Sequence, residues 1–162
     1  VLFSINPATR DAYQTLFRER TIHKTYEAIA PLNRNLSMPM TYQSRMVKGE
    51  PFFRMKEIEG EANSETRLDV LETHRNFAKY QLSPITGKQH QLRVHLASLG
   101  IPIVYDPFYP ELTEWKEDYD KPLQLLAKQV RFIDPITGKN HLFTSEQKLL
   151  DVELIAADFG QQ

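Results

Sequence analysis

The sequence predicts an α+β fold: a mixed, mainly antiparallel sheet flanked by a few helices. Three observations carry that expectation. Short runs rich in β-branched and aromatic residues recur between residues 22 and 83, punctuated by Pro31, Gly49, Pro51 and Gly60. Helical spacing of apolar residues is confined mainly to 7–19 and 86–99. A polar turn at 134–139 separates two further strand-like runs. With 162 residues, 41% of them hydrophobic, the chain is read as one domain spanning 1–162, large enough for its own core.

In chain order, VLFSI at the start reads as the middle or end of a buried strand. The first residue is Val1 rather than Met, so the sequence is read as cut at its front. Asn6-Pro7 pairs a capping side chain with proline at the first helical position, and Ala12, Tyr13, Leu16 and Phe17 continue at helical spacing to residue 19. Residues 22–30 form a strand ending at Pro31, with Lys24, Tyr26, Ala28 and Ala30 on one face. A loop at 33–39 leads to strands near 42–48, 52–58, 66–73 and 77–83. Thr86 to Gln89 fits a capping box, Leu92, Leu96 and Leu99 form a stripe, and Gly100 is a stop signal, so a helix is expected over 86–99. A buried strand at 101–104, a long loop at 105–122, a hairpin of 123–133 with 141–144, and a short helix after Ser145 complete the chain. The pentapeptide PITGK occurs twice, at 84–88 and 135–139, without flanking similarity, and is attributed to shared turn chemistry.

Composition excludes several classes of function. Cysteine is absent, which removes disulfides, thiolate nucleophiles and zinc–cysteine sites. No apolar run approaches the length needed to cross a bilayer, no signal-peptide pattern opens the chain, and a cytoplasmic location is compatible with all of this. Net charge is −1. Two blocks, 57–72 and 106–120, each hold six acids against one base, leaving 18 basic and 9 acidic residues elsewhere. Such segregation can present a basic face to a polyanion, or it can reflect solvated acidic loops.

The densest polar cluster is TGKQHQLRVH, residues 86–95, which places Lys88, His90, Gln91, Arg93 and His95 on and before one helix. These residue types suit phosphate or carboxylate pairing, and equally an ordinary solvated helix face opposite the leucines. His90 and His95 are five apart and do not share the face of a helical zinc pair, so no metal is expected. No G-x-S-x-G and no glycine-rich phosphate loop is present.

The stretch TGKQHQLRVHLASLGIPIVYDPFY resembles the signature of RNA pseudouridine synthases of the large-subunit-rRNA/tRNA (RluA-like) type: T-G-R/K-x-H-Q-[IL]-R-V-H-L followed by G-x-P-I-x-G-D-x-x-Y. HKTYEAIA is similar to that family's K-x-Y-x-A strand, and LQLLAKQVRFIDPITGK to its L-x-L-H-A-x-x-L-x-F-x-H-P-x-T-G stretch. The resemblance spans roughly residues 1 to 144. Lys88, Tyr105, Leu126 and Asp134 depart from the pattern.

The resemblance implies isomerisation of uridine to pseudouridine in rRNA or tRNA, with base flipping, RNA as partner and no cofactor. Tyr26 matches the strand tyrosine that stacks near the flipped uracil and assists proton removal. Arg93 matches the helix arginine that pairs with the nucleophilic Asp. Lys24, Lys88, His90, Gln91 and Arg131 become candidate phosphate or ribose contacts. The nucleophile itself belongs to an H-R-L-D-x-x-T-S-G motif that is not in this sequence, so the resemblance places it upstream of Val1 and makes the chain the C-terminal portion of a catalytic domain, inactive alone. Asp11 and the R-L-D echo at Arg67–Asp69 are poor substitutes. With its acid missing, Arg93 is expected to be a lone guanidinium facing a partly vacant cleft. Two other readings stand beside this one: a non-catalytic RNA-binding module that kept the fold, and an unrelated α+β domain, which would show Tyr26 and Arg93 far apart.

Overall fold

A computed structural model describes residues 4–113 and 118–160. The elements in order are α1 (Pro7–Arg18), β1 (His23–Pro31), β2 (Met40–Lys48), β3 (Met55–Ile58), β4 (Ser64–His74), β5 (Phe77–Pro84), α2 (Gln91–Ser98), β6 (Leu125–Ile133), β7 (Asn140–Thr144) and α3 (Val152–Phe159). The strands form one seven-stranded sheet in the order β3-β2-β4-β5-β1-β6-β7. Every pairing among the described residues is antiparallel.

Alternation along β1 separates two cores. Ala28 and Ala30 meet Leu68, Tyr80 and Leu82 from neighbouring strands, and α2 adds Leu92 and Leu96 on that face. Further along the same face, Ile22, Phe132 and Leu16 of α1 form a smaller cluster. Ile29 points the other way and packs with Val104 and with Val152 and Ile155 of α3. Thus α1 and α2 share one sheet face, and the Lys24–Tyr26 stretch of β1 runs between them. An eight-residue helix such as α2 is marginal by itself. Burial of Leu92 and Leu96, at about 1.5–3 kcal/mol each, holds it on the sheet.

The N-terminal helix forms as expected, with Asn6 Oδ1 accepting from Ala8 N–H at 3.0 Å. The start of α2 does not. No capping box forms at Thr86–Gln89; the helix begins at Gln91, behind His90 in a left-handed conformation (φ 52°). The cause lies in the sheet. Glu65 N–H of β4 donates to Thr86 Oγ1 at 2.8 Å, and Thr86 in turn donates to Gln91 Oε1 at 2.6 Å. Residues 86–90 are therefore pinned to the sheet before the helix can start, and Gln89 reaches away to Phe53 O. Gly100 closes α2 with φ 74°, as its position after Leu99 predicts.

Residues 101–104 are mostly buried but form no strand. Instead, Val104 N–H donates to Ile29 O while Ile29 N–H donates to Gln124 O, extending the β6 side of β1 with single bonds. The predicted 123–133/141–144 hairpin is present as β6 and β7. The tail runs irregularly past Ser145 and turns helical only at Val152, capped by Asp151. Part of the expected 105–122 loop, residues 114–117, lies outside the described residues.

Candidate functional site

Between α1 and α2 the sheet face opens into a cleft of about 300 Å³. Lys24 and Tyr26 come from β1, Thr86, Gly87 and Lys88 from the segment after β5, and His90, Gln91 and Arg93 from the start of α2. Tyr26 and Arg93 thus meet on one cavity, which removes the unrelated-domain reading. Six of the seven expected residues are gathered here. The exception is Arg131, for a reason of register. It pairs with His23 and with Leu142, whereas Lys24 pairs with Val130, which pairs with Phe143. Cross-strand partners share a face, so exposed Arg131 points to the opposite side of the sheet from Lys24.

Arg93 is not a lone guanidinium. Its Nε donates to Asp106 Oδ2 at 2.8 Å and its Nη2 to Asp106 Oδ1, a bidentate pair. The Asp106 carboxylate is fully buried, while 12% of the Arg93 side chain is exposed. Asp106 Oδ1 also accepts from Phe108 N–H, and the guanidinium lies over the Phe108 ring at 4.6 Å. The acid that holds Arg93 therefore lies within the sequence, in the D-P-F-Y turn at 106–109, whereas the resemblance points only to an acid upstream. Nη1 makes no hydrogen bond among the described residues. A guanidinium has five N–H donors, so Arg93 is fixed by one acid with an edge left for a second acceptor.

Gln91 sits beneath the cleft rather than on its wall. It is 3% exposed. Its Oε1 accepts from Thr86 Oγ1 and Lys88 N–H, and its Nε2 donates to Glu65 O and Thr66 Oγ1, both at 2.9 Å. With every amide atom engaged, Gln91 locks the 86–90 segment to β4. Thr66 Oγ1 continues the network to His95 Nδ1, and His95 Nε2 meets Ser44 and Ser64. Burial holds the His95 imidazole down to about 4, against the opposing pull of Glu57. His95 is thus a neutral strut between helix and sheet.

Among the described residues the lining includes Lys24, Lys88, His90 and Arg93 and no Asp or Glu. A Cβ at Gly87 would meet Lys24 Nζ at 3.4 Å, so the ammonium lies against that glycine. Burial pushes the Lys24 pKa down and the Tyr26 phenol up. At neutral pH the Tyr26 phenol stays protonated, with an apolar face and a polar tip. Asp11 sits exposed on α1 beside Arg18, and exposed Asp69 pairs with Gln81 on the far side of the sheet alternation. Neither lines the cleft. The acidic block at 57–72 lies largely along β3 and β4, toward the other edge of the sheet. A second groove of about 600 Å³ shares Lys24 and Tyr26 and continues over Val130 and Phe143 toward Phe17.

The sequence profile described as RNA pseudouridylate synthase matches residues 1–98. The chain is 30% identical over 154 residues to a dual-specificity RNA pseudouridine synthase RluA of Haemophilus influenzae, covering 90% of this chain and 67% of that protein. It is 29% identical over 129 residues to a ribosomal large subunit pseudouridine synthase C of Vibrio cholerae, covering 78% of this chain and 41% of the relative. A Vibrio cholerae RluA is spanned over 55% of its length. The chain thus spans between about two fifths and two thirds of these relatives. Among solved structures, a human RNA pseudouridylate synthase domain-containing protein 4 superposes with a TM-score of 0.67 at 22% identity, over 94% of this chain and 67% of that one, sharing the fold.

Proposed function

The chain belongs to the RNA pseudouridylate synthase family, and from that premise we propose that its cleft isomerises uridine to pseudouridine in ribosomal or transfer RNA, with the nucleophilic carboxylate supplied from outside these 162 residues. The observation that carries the reading is the convergence of Tyr26 and Arg93 on one cleft flanked by Lys24 and Lys88. The reaction breaks the C1′–N1 bond, turns the base, forms C1′–C5 and releases the C5 proton. A flipped uracil needs a stacking face, and Tyr26 offers one on a rigid strand. As a neutral phenol Tyr26 enters as a hydrogen-bond donor. To take the C5 proton it must first pass its own proton to water, and Lys24, two residues away on the same strand face, is the cation that stabilises the phenolate so formed. Arg93, aligned by Asp106, turns its remaining edge toward the incoming carboxylate and keeps it ionised. Lys24, Lys88 and His90 contact backbone or sugar, with Arg131 reserved for RNA that wraps the sheet edge. The 162 residues act as one unit, the C-terminal portion of the catalytic domain, without metal or cofactor, in a cytoplasmic setting.

One observation favours a second reading, a non-catalytic RNA-binding module: among the described residues no carboxylate lines the cleft. Release of tritium from RNA carrying 5-tritiated uridine separates the two. The natural full-length protein is expected to release tritium, and the 162-residue chain to bind RNA without release. RNA binding without release by the full-length protein would establish the module instead.

A further inference from the structure

The D-P-F-Y turn takes hold of the cleft with both of its polar side chains. Asp106 grips Arg93, and Tyr109 grips His90. The second contact determines which hydrogen the cleft receives from His90. Tyr109 is buried, and its hydroxyl oxygen accepts from Met55 N–H at 2.7 Å. A buried hydroxyl keeps its own proton bonded. Among the described residues its partner for that proton is His90 Nδ1, at 3.0 Å. A nitrogen that accepts carries no hydrogen, so the neutral ring bears its hydrogen on Nε2. Burial and the adjacent Arg93 charge lower the His90 pKa, with Asp106 opposing, in keeping with a neutral ring. The imidazole borders the cleft and leans on Phe108 and Tyr109, with centroids 5.8 and 5.7 Å away. Its donor is therefore held in place.

We infer that Tyr109 fixes His90 as the Nε2–H tautomer, so that the cleft presents a neutral hydrogen-bond donor to a base or sugar oxygen of the bound nucleotide. Tyr109 is the positioning residue and His90 the reader. The nucleotide half rests on the RNA reading above; the tautomer half does not. Phosphate capture falls to Lys24 and Lys88, because a neutral donor adds nothing to counterion release.

The test begins with long-range ¹H–¹⁵N spectra of the imidazoles in the full-length protein at neutral pH. His90 is expected as Nε2–H in the wild type and as a tautomer mixture in Tyr109→Phe. An Nδ1–H or imidazolium signature in the wild type overturns the inference whatever the protein does to uridine. Titration with a uridine-containing oligoribonucleotide then closes a double-mutant cycle. Tyr109→Phe is expected to weaken binding roughly three- to tenfold in the wild-type background. It should have no further effect in the His90→Gln background, whose amide supplies an N–H near the same place without Tyr109. Equal losses in both backgrounds would make Tyr109 merely structural and overturn its positioning role. His90→Leu should weaken binding by a similar factor at low and high salt. A salt slope reduced by about one would mark a phosphate contact and overturn the assignment to a base or sugar oxygen. Failure of every form to bind RNA, with the tautomer signature intact, would overturn the donor role together with the RNA reading and leave the tautomer standing.

Discussion

The same five residues, PITGK, occur at 84–88 and 135–139 and fold into unlike structures. In the second copy Asp134 Oδ1 accepts from Ile136 and Thr137 N–H, Gly138 takes φ 70°, and the exposed segment closes the β6–β7 hairpin. In the first copy the glycine stays outside the left-handed region, Thr86 is buried, and the segment feeds α2 and the cleft. Shared turn chemistry accounts for the second copy and not for the first. There the Glu65 backbone and the Gln91 amide impose the conformation. Identical sequence becomes a surface turn when it closes on itself and a wall of the cleft when a neighbouring strand and a helix claim its polar groups.

The sharpest contrast lies at the C-terminal end of each copy. Arg93→Ala, on the helix that the first copy leads into, leaves the buried Asp106 carboxylate unpaired, and the expected cost is about 3–5 kcal/mol in denaturant unfolding. Lys139→Ala, at the end of the second copy, should cost less than about 0.5 kcal/mol. The Asp106 pairing gives Arg93 a structural part beside the proposed one, so loss of activity in Arg93→Ala carries little meaning without the stability measurement beside it.

Acid separates the two regions next. His95 has its folded pKa depressed from 6.5 to about 4. The unfolded chain therefore binds the proton first, and the stabilisation is present above pH 6.5 and lost as pH falls toward 4. The loss is on the order of 3 kcal/mol, and urea midpoints measured across that window should record it. Asp134 of the hairpin is held below 3.8, first by its backbone hydrogen bonds from Thr137 and Ile136. Its contribution should survive through that window and fade only at lower pH.

Within the pentapeptides, Thr86→Val strands Glu65 N–H and one bond to Gln91 and should cost about 2–3 kcal/mol. Thr137→Val should stay within about 0.5 kcal/mol. The smallest effect reverses the order. Gly138→Ala forces a side chain into a left-handed conformation at a cost of about 1 kcal/mol. Gly87→Ala meets only Lys24 Nζ at ordinary contact distance and should cost less. Thermal unfolding of the paired variants checks both contrasts.

Local patterns carried the strands, α1, the β6–β7 hairpin and the stop at Gly100, because alternation, caps and glycine signals act within a few residues. They failed where long-range partners decide. The start of α2 depends on Glu65, twenty-one residues before Thr86. The face of Arg131 depends on how β6 registers against β1, which shifts at Thr25/Tyr26. Tyr26 and Arg93 were legible because each sits in a recognisable motif. Asp106 and Tyr109 also lie in a recognisable motif, yet their grip on Arg93 and His90 needed three-dimensional contact to be seen.

The proposed chemistry depends most directly on Tyr26. Chromatographic nucleoside analysis of a single-uridine RNA, incubated with full-length wild type and with Tyr26→Phe at matched RNA occupancy, measures its role. The predicted result is pseudouridine from the wild type and formation slowed on the order of a hundredfold or more in the variant, in the range of a lost proton-transfer group. Equal rates from the two proteins, or no pseudouridine from the wild type on any ribosomal or transfer RNA, would contradict it.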